Sequence, residues 1–327
     1  MNDDKCKKNI SIALCTRNGS AFIEDQLQSI AAQSLKPAEL VISDDASTDA
    51  TVELIHQWTG GEKMPLRLLQ NQEPLGVVGN YEQAINHCRG DYIALCDQDD
   101  LWLPPKLELS LEAMQKVEQS FGAARPILVY TDLSVVDLKG EIIAPSFMTY
   151  QGLEHVDQEP LKRLLAHNFV TGSTILINRP LVKAALPLPE AAILHDWWLA
   201  LVAAALGKIL FIARPTVLYR QHDLNLVGSK GYYWSGNVRR IRNINLLEAR
   251  IAATIKQGLA LKERVMEMPG AEIPVYLEQY LDAASKKGIR ALLVARRNGI
   301  GQPGLLRNAV FNLLLAKGRY RAGIEEK

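Results

Sequence analysis

The sequence lacks the features that define several large classes of protein. Its longest apolar run, residues 197–206, is about half of the roughly 20 residues that a membrane-spanning helix needs. No apolar segment follows the charged amino terminus, and no Gly-x-Gly-x-x-Gly follows the first apolar run, which disfavours a nicotinamide cofactor. The four cysteines, Cys6, Cys15, Cys88 and Cys96, show no metal-binding or redox spacing. We therefore expect a chain without signal peptide or membrane span in a reducing cytoplasm.

Charge is distributed unevenly along a chain of otherwise ordinary composition. Residues 230–327 hold 18 Lys and Arg against 8 Asp and Glu, a net charge of +10, whereas residues 1–229 carry a net −9. The pattern predicts two regions with this boundary, and it favours an anionic partner, membrane or nucleic acid, for the second. The alternative is that the basic residues only cover a solvated helical face.

Short apolar runs alternate with segments of helical spacing in the first hundred residues. Runs at 10–14, 40–42, 66–69 and 92–96 have the length of buried strands, and three- and four-residue apolar spacing follows the first three. This alternation predicts an α/β fold with a mostly parallel sheet, in which ligands bind at the carboxyl ends of the strands.

Three carboxylates, Asp97, Asp99 and Asp100, follow the run at 92–96. Carboxylates this close repel one another unless a cation lies between them, and hard oxygen ligands suit Mg²⁺ or Mn²⁺. Such a cation would neutralise a diphosphate. The competing interpretation is an acidic turn that caps the next helix.

Polar residues also follow the first two runs. Thr16, Arg17 and Asn18 come after the first, and the block 44–49 comes after the second. Ser47 or Asp49 can cap the following helix, which leaves Asp44 and Asp45 without a structural explanation. A carboxylate at this place can accept a hydrogen bond from a nucleotide base or ribose.

The order and spacing of Thr16-Arg17-Asn18, Asp44-Asp45-Ala46-Ser47-Thr48-Asp49 and Asp97-Gln98-Asp99-Asp100-Leu101-Trp102 resemble the family 2 glycosyltransferases. The resemblance implies the glycosyltransferase-A fold, a Rossmann-like, mostly parallel mixed sheet flanked by helices, here with a helical carboxyl-terminal region. It implies that residues 1–229 bind a nucleotide-diphosphate sugar through Thr16, Arg17, Asn18, Asp44, Asp45 and Asp97. It further implies Mn²⁺ or Mg²⁺ as the cofactor, held at Asp99 and Asp100.

Asp196 precedes an apolar helical segment, residues 197–206. Its structural role would be to cap that helix. In the resembling family, an acid at this place deprotonates the acceptor hydroxyl, so the resemblance implies that Asp196 is the catalytic base. Gly172, Ser173 and Trp197 would then contact the acceptor.

Two further apolar runs, 209–212 and 217–219, predict closing strands, the second ending at Arg220-Gln-His222. We expect Arg220 to contact the diphosphate and His222 to bind the metal. His-Asp-Trp-Trp-Leu-Ala-Leu together with Tyr-Arg-Gln-His resembles the rhamnosyltransferase branch of the family. That branch usually has Gly-Asn after the His, where this chain has Asp223-Leu224.

These observations predict an inverting, metal-dependent glycosyltransferase. The resemblance implies transfer of L-rhamnose from dTDP-L-rhamnose to a hydroxyl of a bacterial surface polysaccharide or lipid-linked glycan. A family member that uses a UDP- or GDP-sugar, a sugar nucleotidyltransferase and a non-catalytic glycan-binding scaffold are the alternatives. We expect the basic residues 230–327 to attach the protein to the inner face of the cytoplasmic membrane, with no nucleic acid partner; an oligomer is compatible with the sequence.

Overall fold

The computed structural model describes residues 9–58, 64–222, 244–286 and 288–325. The strands are β1 (Ile10–Thr16), β2 (Glu39–Asp44), β3 (Leu66–Gln70), β4 (Tyr92–Asp97), β5 (Leu101–Trp102), β6 (Ile127–Val136), β7 (Ile142–Ala144), β8 (Ile175–Asn178) and β9 (Lys208–Arg220). The helices of the first 222 residues are α1 (Ile23–Ala31), α2 (Thr51–Gln57), α3 (Gly76–His87), α4 (Lys106–Phe121), α5 (Phe147–Gln151), α6 (Pro160–Leu164), α7 (Arg179–Ala185) and α8 (His195–Leu206). Those after residue 243 are α9 (Ile244–Glu267), α10 (Val275–Lys286), α11 (Gly288–Asn298), α12 (Leu305–Lys317) and α13 (Ala322–Glu325).

The strands form one mixed sheet in the order β3-β2-β1-β4-β8-β6-β9-β5, with β7 paired to β6. Strands β3, β2, β1 and β4 are parallel to one another, because a crossover helix joins each of these strands to the next one in the chain. Strand β8 is antiparallel to both β4 and β6, and β9 is parallel to β6. The expected mixed α/β sheet is confirmed, with four adjacent parallel strands from the first hundred residues and a further parallel pair formed by β6 and β9.

Alternate residues of the central strands point into two hydrophobic clusters on opposite faces of the sheet. In β1, Ile12 and Leu14 face the cluster covered by α1 and α4, whereas Ala13 faces the cluster covered by α3 and α8. All three residues are fully buried. Burial on both faces explains why these strands appear in the sequence as continuous apolar runs. It also fixes the edge of the sheet at which the strands end.

The two closing strands expected at 209–212 and 217–219 are a single strand, β9, so that prediction was wrong. Its register against β6 shifts on either side of Asp132, the residue paired with Pro215. Proline has no N–H for the ladder, and such an irregularity lets the strand continue past it. Pro215 therefore lies within one continuous strand.

The carboxyl-terminal helices continue the core of the sheet. Ile255 of α9, Leu277 of α10 and Phe311 of α12 belong to the same buried cluster as Trp198 of α8. The expected boundary between residues 229 and 230, and the loop tip at Asp223-Leu224, lie outside the described residues. Within the described part of the chain, no helix has the length and apolar character needed to cross a bilayer.

Candidate active site

The carboxyl ends of β1, β2 and β4 bring three of the predicted site segments together. Thr16 is in register with Asp44 of β2, and Cys15 is in register with Asp97 of β4. Since these strands are parallel, the polar residues that follow them share one edge of the sheet. The structure therefore groups the expected nucleotide-binding residues with the acidic turn.

The loops after β1 and β2 are hydrogen-bonded to each other. The backbone N–H of Asn18 donates to Ser47 Oγ at 2.9 Å, and Asn18 Oδ1 accepts from the backbone N–H of Thr48 at 2.8 Å. Asn18 and Ala46 both have positive φ angles, 47° and 58°. Non-glycine residues in this conformation persist where surrounding contacts hold them, so this rim is preformed.

The carboxylates of Asp44 and Asp45 are both engaged in local hydrogen bonds. Asp44 Oδ2 accepts from Thr16 Oγ1 at 2.8 Å, and Oδ1 accepts from the Ser47 N–H at 2.9 Å. Asp45 accepts from the N–H groups of Leu75 and Gly76 at 2.6 and 3.1 Å, at the start of α3. These two acids thus shape the pocket that the resemblance assigns to the nucleotide.

Arg17 stands at the exposed side of the same pocket. Its Nη1 lies 3.4 Å from Asp45 Oδ2, and 53% of its side chain is exposed. Ion pairs of this kind contribute little to stability, because solvent screens them. The guanidinium is therefore available to a ligand at little cost in folding free energy.

Gln98 is a site residue that the sequence did not indicate. Its Oε1 accepts from the N–H of Arg17 at 2.8 Å and its Nε2 donates to the Arg17 carbonyl at 3.0 Å. A Cβ at Gly19 would clash with that Oε1. Gly19, the glycine directly after Asn18, was the one sequence signal that another group approaches this loop closely.

Asp97 lies at the end of β4 under a hydrogen bond from a helix. The Tyr81 hydroxyl of α3 donates to Asp97 Oδ1 at 2.6 Å and to the Cys96 carbonyl at 2.9 Å. Burial raises the pKa of Asp97 to about 6, the charge of Asp99 adds to this rise, and the Tyr81 hydrogen bond opposes it. Tyr81 was missed, because inside α3 it reads as an ordinary core residue.

Asp100 is fully buried at the turn after β4. Burial and then the charges of Asp99 and Asp97 raise the pKa of Asp100 well above its ordinary value. Neither oxygen has a hydrogen bond of ordinary geometry within the described residues, although the Ser173 hydroxyl is near enough to lower the pKa. Asp100 and Ser173, two predicted contacts, are thus adjacent beneath the surface of the site.

Asp99 lies at the surface of the site and contacts the end of β9. His222 Nε2 is 3.0 Å from Asp99 Oδ2, and the imidazole stacks on Phe22 at 4.5 Å. Arg220 donates to the Asp99 carbonyl at 2.8 Å and to Asp25 Oδ2 at 2.7 Å. The expected metal ligands Asp99 and His222 are therefore in contact. Arg220, which was expected at the diphosphate, hydrogen-bonds to the backbone of the acidic turn.

No group of three His, Cys, Asp or Glu side chains in the described part of the chain has the arrangement of a metal site. The donor set still suits a divalent cation. Three carboxylates share one turn, and the charges of Asp97 and Asp99 raise the pKa of Asp100, so a cation there would relieve their repulsion. Asp99 and His222, whose side chains are in contact, are the pair that would hold it.

Asp196 lies in the first turn of α8, whose N-cap residue is Leu194. Asp196 is therefore inside the helix rather than its cap, contrary to the structural role considered from the sequence. Only 8% of the residue is exposed, and Oδ1 accepts from the Trp197 N–H at 2.6 Å. Burial raises the pKa of Asp196 to about 7, with a further contribution from the charge of Asp97. A carboxyl group with this pKa suits a general base near neutral pH.

His195 and Gly172 enclose Asp196. His195 stacks on Tyr81 with the ring centroids 3.6 Å apart, and burial lowers the pKa of His195 to about 3, so the imidazole is neutral. A Cβ at Gly172 would lie 3.1 Å from His195 Nε2 and 3.6 Å from Asp196 Oδ2. Of the expected acceptor contacts, Gly172 thus lies beside the base. Tyr81 touches both Asp97 and His195 and links the two halves of the site.

Trp197, the third expected acceptor contact, faces the carboxyl-terminal helices. Its indole Nε1 donates to the Leu164 carbonyl at 2.8 Å, and its ring lines a cavity of about 590 Å³. The residue therefore connects the base to a second compartment of the protein.

Comparisons with known proteins agree with this geometry. Residues 11–134 match the family model described as glycosyl transferase family 2. The uncharacterized protein Rv1520 of Mycobacterium tuberculosis is 27% identical over 215 residues, which are 65% of this chain and 59% of the relative. The dTDP-rhamnosyl transferase RfbG of Shigella flexneri is 27% identical over 223 residues, 66% of this chain and 74% of the relative. This chain thus spans less than two thirds of the mycobacterial relative.

Solved structures with the same fold extend over nearly the whole chain. TarS of S. aureus in complex with UDP-GlcNAc superposes with a TM-score of 0.54 at 15% identity, covering 98% of this chain and 93% of TarS. The mannosyltransferase PcManGT of Pyrobaculum calidifontis in complex with GDP-Man and Mn²⁺ gives a TM-score of 0.53 at 18% identity, covering 97% and 83%. At these identities the likeness establishes the glycosyltransferase-A fold.

Proposed function

We propose that this chain, whose residues 11–134 belong to glycosyl transferase family 2, is an inverting glycosyltransferase that uses a nucleotide-diphosphate sugar and a divalent cation. The observation that carries the proposal is the position of Asp196. A buried carboxyl group with a pKa of about 7 is electrostatically coupled to Asp97 at the end of β4, the strand that leads into the acidic turn. In the proposed complex, this arrangement would put the base beside the sugar diphosphate.

The proposed reaction is a single displacement. Asp196 takes the proton of the acceptor hydroxyl while that oxygen attacks the anomeric carbon, and the nucleoside diphosphate leaves from the opposite face. One displacement inverts the configuration, and no second nucleophile is required. The Gly172 backbone hydrogen-bonds to the Asp196 carboxylate, and the neutral His195 beside it supplies no competing charge.

The remaining site residues would bind the donor. Thr16, Asp44 and Asp45 form the nucleotide side of the pocket, and Arg17 reaches it from the solvent. A divalent cation held by Asp99 and His222 would stabilise the departing diphosphate. In this proposal Arg220 affects diphosphate binding indirectly. Its guanidinium donates to Asp25 and to the Asp99 carbonyl, and so it holds the acidic turn in position.

The proposed donor is dTDP-L-rhamnose. The segments His195-Asp196-Trp197-Trp198 and Tyr219-Arg220-Gln221-His222 support it by their resemblance to the rhamnosyltransferase branch. The name of the Shigella relative, a dTDP-rhamnosyl transferase, agrees with it. A UDP- or GDP-sugar donor is the main alternative, since TarS and PcManGT were solved with UDP-GlcNAc and GDP-Man.

The proposed acceptor is a hydroxyl group of a glycan carried on a lipid, at the inner face of the cytoplasmic membrane. Residues 283–324 hold nine Lys and Arg and no Asp or Glu. The side chains of Ile289, Leu293, Leu305 and Leu306 in this segment are more than half exposed. Exposed aliphatic and basic side chains together favour an anionic membrane surface.

A thermal-shift screen of sugar nucleotides with and without Mn²⁺ tests the proposal, because a ligand that binds only the folded state raises the melting temperature. We expect the largest metal-dependent shift with dTDP-L-rhamnose. A larger shift with a UDP- or GDP-sugar would move the chain to another donor class. A sugar nucleotidyltransferase would instead release pyrophosphate from a nucleoside triphosphate, and a glycan-binding scaffold would not cleave the donor at all.

A further inference from the structure

The first turn of α1 contacts the end of β9 through two side chains. The ring of Phe22, the N-cap residue of α1, stacks on the imidazole of His222 with the centroids 4.5 Å apart and the planes inclined by 17°. The carboxylate of Asp25 accepts from Arg220 Nη1 at 2.7 Å. Because β9 ends at Arg220, these contacts fix the course of the chain where it leaves the sheet.

The guanidinium of Arg220 joins three segments of the chain. It donates from Nε to the Asp99 carbonyl at 2.8 Å, from Nη1 to Asp25, and from Nη2 to the Phe22 carbonyl at 3.4 Å. Only 7% of the Arg220 side chain is exposed, against 56% of that of Asp25. The donors of a planar guanidinium point in fixed directions, so the acceptors around it are held at fixed relative positions. The acidic turn, the first turn of α1 and the end of β9 therefore form one rigid unit.

The turn that carries Phe22 is itself anchored to the start of α2. The Phe22 N–H donates to the Gly19 carbonyl at 2.9 Å, and the Gly19 N–H donates to Thr51 Oγ1 at 2.8 Å. The Ser20 N–H donates to Asp49 Oδ2 at 3.0 Å. A site is held accurately when its supporting residues are fixed in this way by further hydrogen bonds. The Phe22 ring thus offers His222 a stationary surface.

His222 lies two residues beyond the last residue of β9, where the strand no longer orients its ring. A side chain that is free to rotate loses conformational entropy when a ligand fixes it. The stacked imidazole of His222 has already lost that freedom in the folded protein, with Nε2 directed at Asp99 Oδ2. Residues that orient metal ligands in this way typically contribute roughly 10- to 100-fold to metal affinity.

We propose that Phe22 and Asp25 are positioning residues for His222, the expected metal ligand. Phe22 orients the imidazole by stacking. Asp25 holds Arg220, which in turn holds the backbone of Asp99, so that the two expected ligands stay side by side. The inference rests on the proposed function and specifies what supports its metal site. Both residues act through others and are not ligands themselves.

Titration of the full chain with Mn²⁺, followed by the EPR signal of the free ion in the presence of dTDP, UDP or GDP, tests the proposal. Phe22→Leu and Asp25→Asn should each weaken Mn²⁺ binding by about tenfold or more, the lower end of the usual effect of such residues. Phe22→Tyr keeps the aromatic ring and should bind Mn²⁺ as the native protein does. Glu24→Gln is the matched control for Asp25→Asn, because Glu24 is an exposed acid in the same turn of α1.

A double substitution separates positioning from a general effect on the fold. Once His222→Gln has removed the imidazole, Phe22→Leu should change Mn²⁺ binding by less than about twofold, because the effects of residues that act through one another do not add. A further tenfold loss in that background would mean that Phe22 acts on the fold as a whole, and it would overturn the inference.

Native Mn²⁺ affinity in both Phe22→Leu and Asp25→Asn would also overturn the inference, while the proposed function would stand because the ion still binds. A loss in Glu24→Gln equal to that in Asp25→Asn would reduce the effect to net charge and remove the role of Asp25. A native chain that binds no Mn²⁺ with any of the three nucleotides would overturn both the metal dependence in the proposed function and this inference.

Discussion

The hydroxyl group of Tyr81 donates to Asp97 Oδ1 at 2.6 Å from a side chain that is only 1% exposed. The face of the same ring stacks on His195, the neighbour of the proposed base. A single buried side chain thereby fixes the acidic turn relative to α8. This contact fixes the position of the acidic turn relative to the proposed base, Asp196.

Tyr81→Phe should weaken donor binding or turnover by about tenfold, because a buried hydrogen bond to a charged group contributes roughly 1.5–3 kcal/mol. Tyr92→Phe is the control, since Tyr92 is equally buried and its hydroxyl donates to Glu118 at 2.7 Å, in the cluster on the other face of the sheet. Donor affinity and kcat measured for both variants check this. Equal losses in the two would indicate a general effect on stability.

Asp196→Asn should lower transfer by at least about a hundredfold, the usual contribution of a general base, with donor affinity retained. The activity of the native protein should rise with pH through about 7, as the Asp196 carboxyl group loses its proton. The residual activity of the variant should not show this rise with pH. Asp132→Asn alters a buried carboxylate bonded to Ser146 and is the control; a similar loss there would contradict a special role for Asp196.

The same substitution should change stability with a definite dependence on pH. The pKa of Asp196 is raised from 3.8 to about 7 in the folded protein. Its protonated form therefore favours folding below pH 4, and that contribution is lost as the pH rises through about 7. Asp196→Asn removes the cost of the buried charge, so it should raise the melting temperature more at pH 8 than at pH 4. An equal change at both pH values would refute the burial of this charge.

Asp99→Asn and His222→Gln should each weaken Mn²⁺-dependent donor binding by about tenfold or more, since losing one of few protein ligands lowers metal affinity. The Asp99→Asn protein should remain folded, because the Asp99 side chain retains 18% exposure. Thermal shifts with donor, with and without EDTA, measure this. Asp91→Asn, at an exposed turn before β4, should respond to EDTA as the native protein does. Full metal dependence in both site variants would place the cation elsewhere.

The protein should float with anionic but not neutral vesicles, and about 0.5 M salt should release it, because salt screens the attraction. Arg290 and Arg297 are exposed on α11, and each basic residue near anionic lipid contributes about 1 kcal/mol. The double change to Gln should therefore reduce flotation by about tenfold or more. Lys36→Gln with Arg89→Gln, two exposed sites in the sheet region, is the control. Equal flotation with neutral vesicles would contradict an electrostatic attachment.

The sequence predicted the parts of this fold that depend on local patterns. The first four strands and the helices between them were recognisable from apolar runs and spacing, and the parallel order followed from their alternation. The acidic turn and the Asp44-Asp45 block lie at strand ends for the same reason. Asp99 and His222 meet as the metal interpretation requires, although 122 residues of chain lie between them. The sheet brings them together, because β5 pairs with β9.

Contacts set by tertiary packing could not be predicted in this way. Tyr81 and Gln98 act through partners that the local sequence does not identify, and Arg220 was expected at the diphosphate because nothing near it in sequence indicates Asp25. The continuous strand β9 was missed since Pro215 is normally a strand terminator. In each case the deciding neighbour comes from a distant part of the chain.

Strand β8 lies between β4 and β6, so residues 175–178 complete a sheet whose other members begin at residue 10. The family match ends at residue 134, inside β6. A hybrid protein that exchanges only the matched segment would cut β6 and leave β8 and β9 pairing with foreign strands. Recombination between relatives must therefore carry residues 10–222 as one block if the hybrid is to fold.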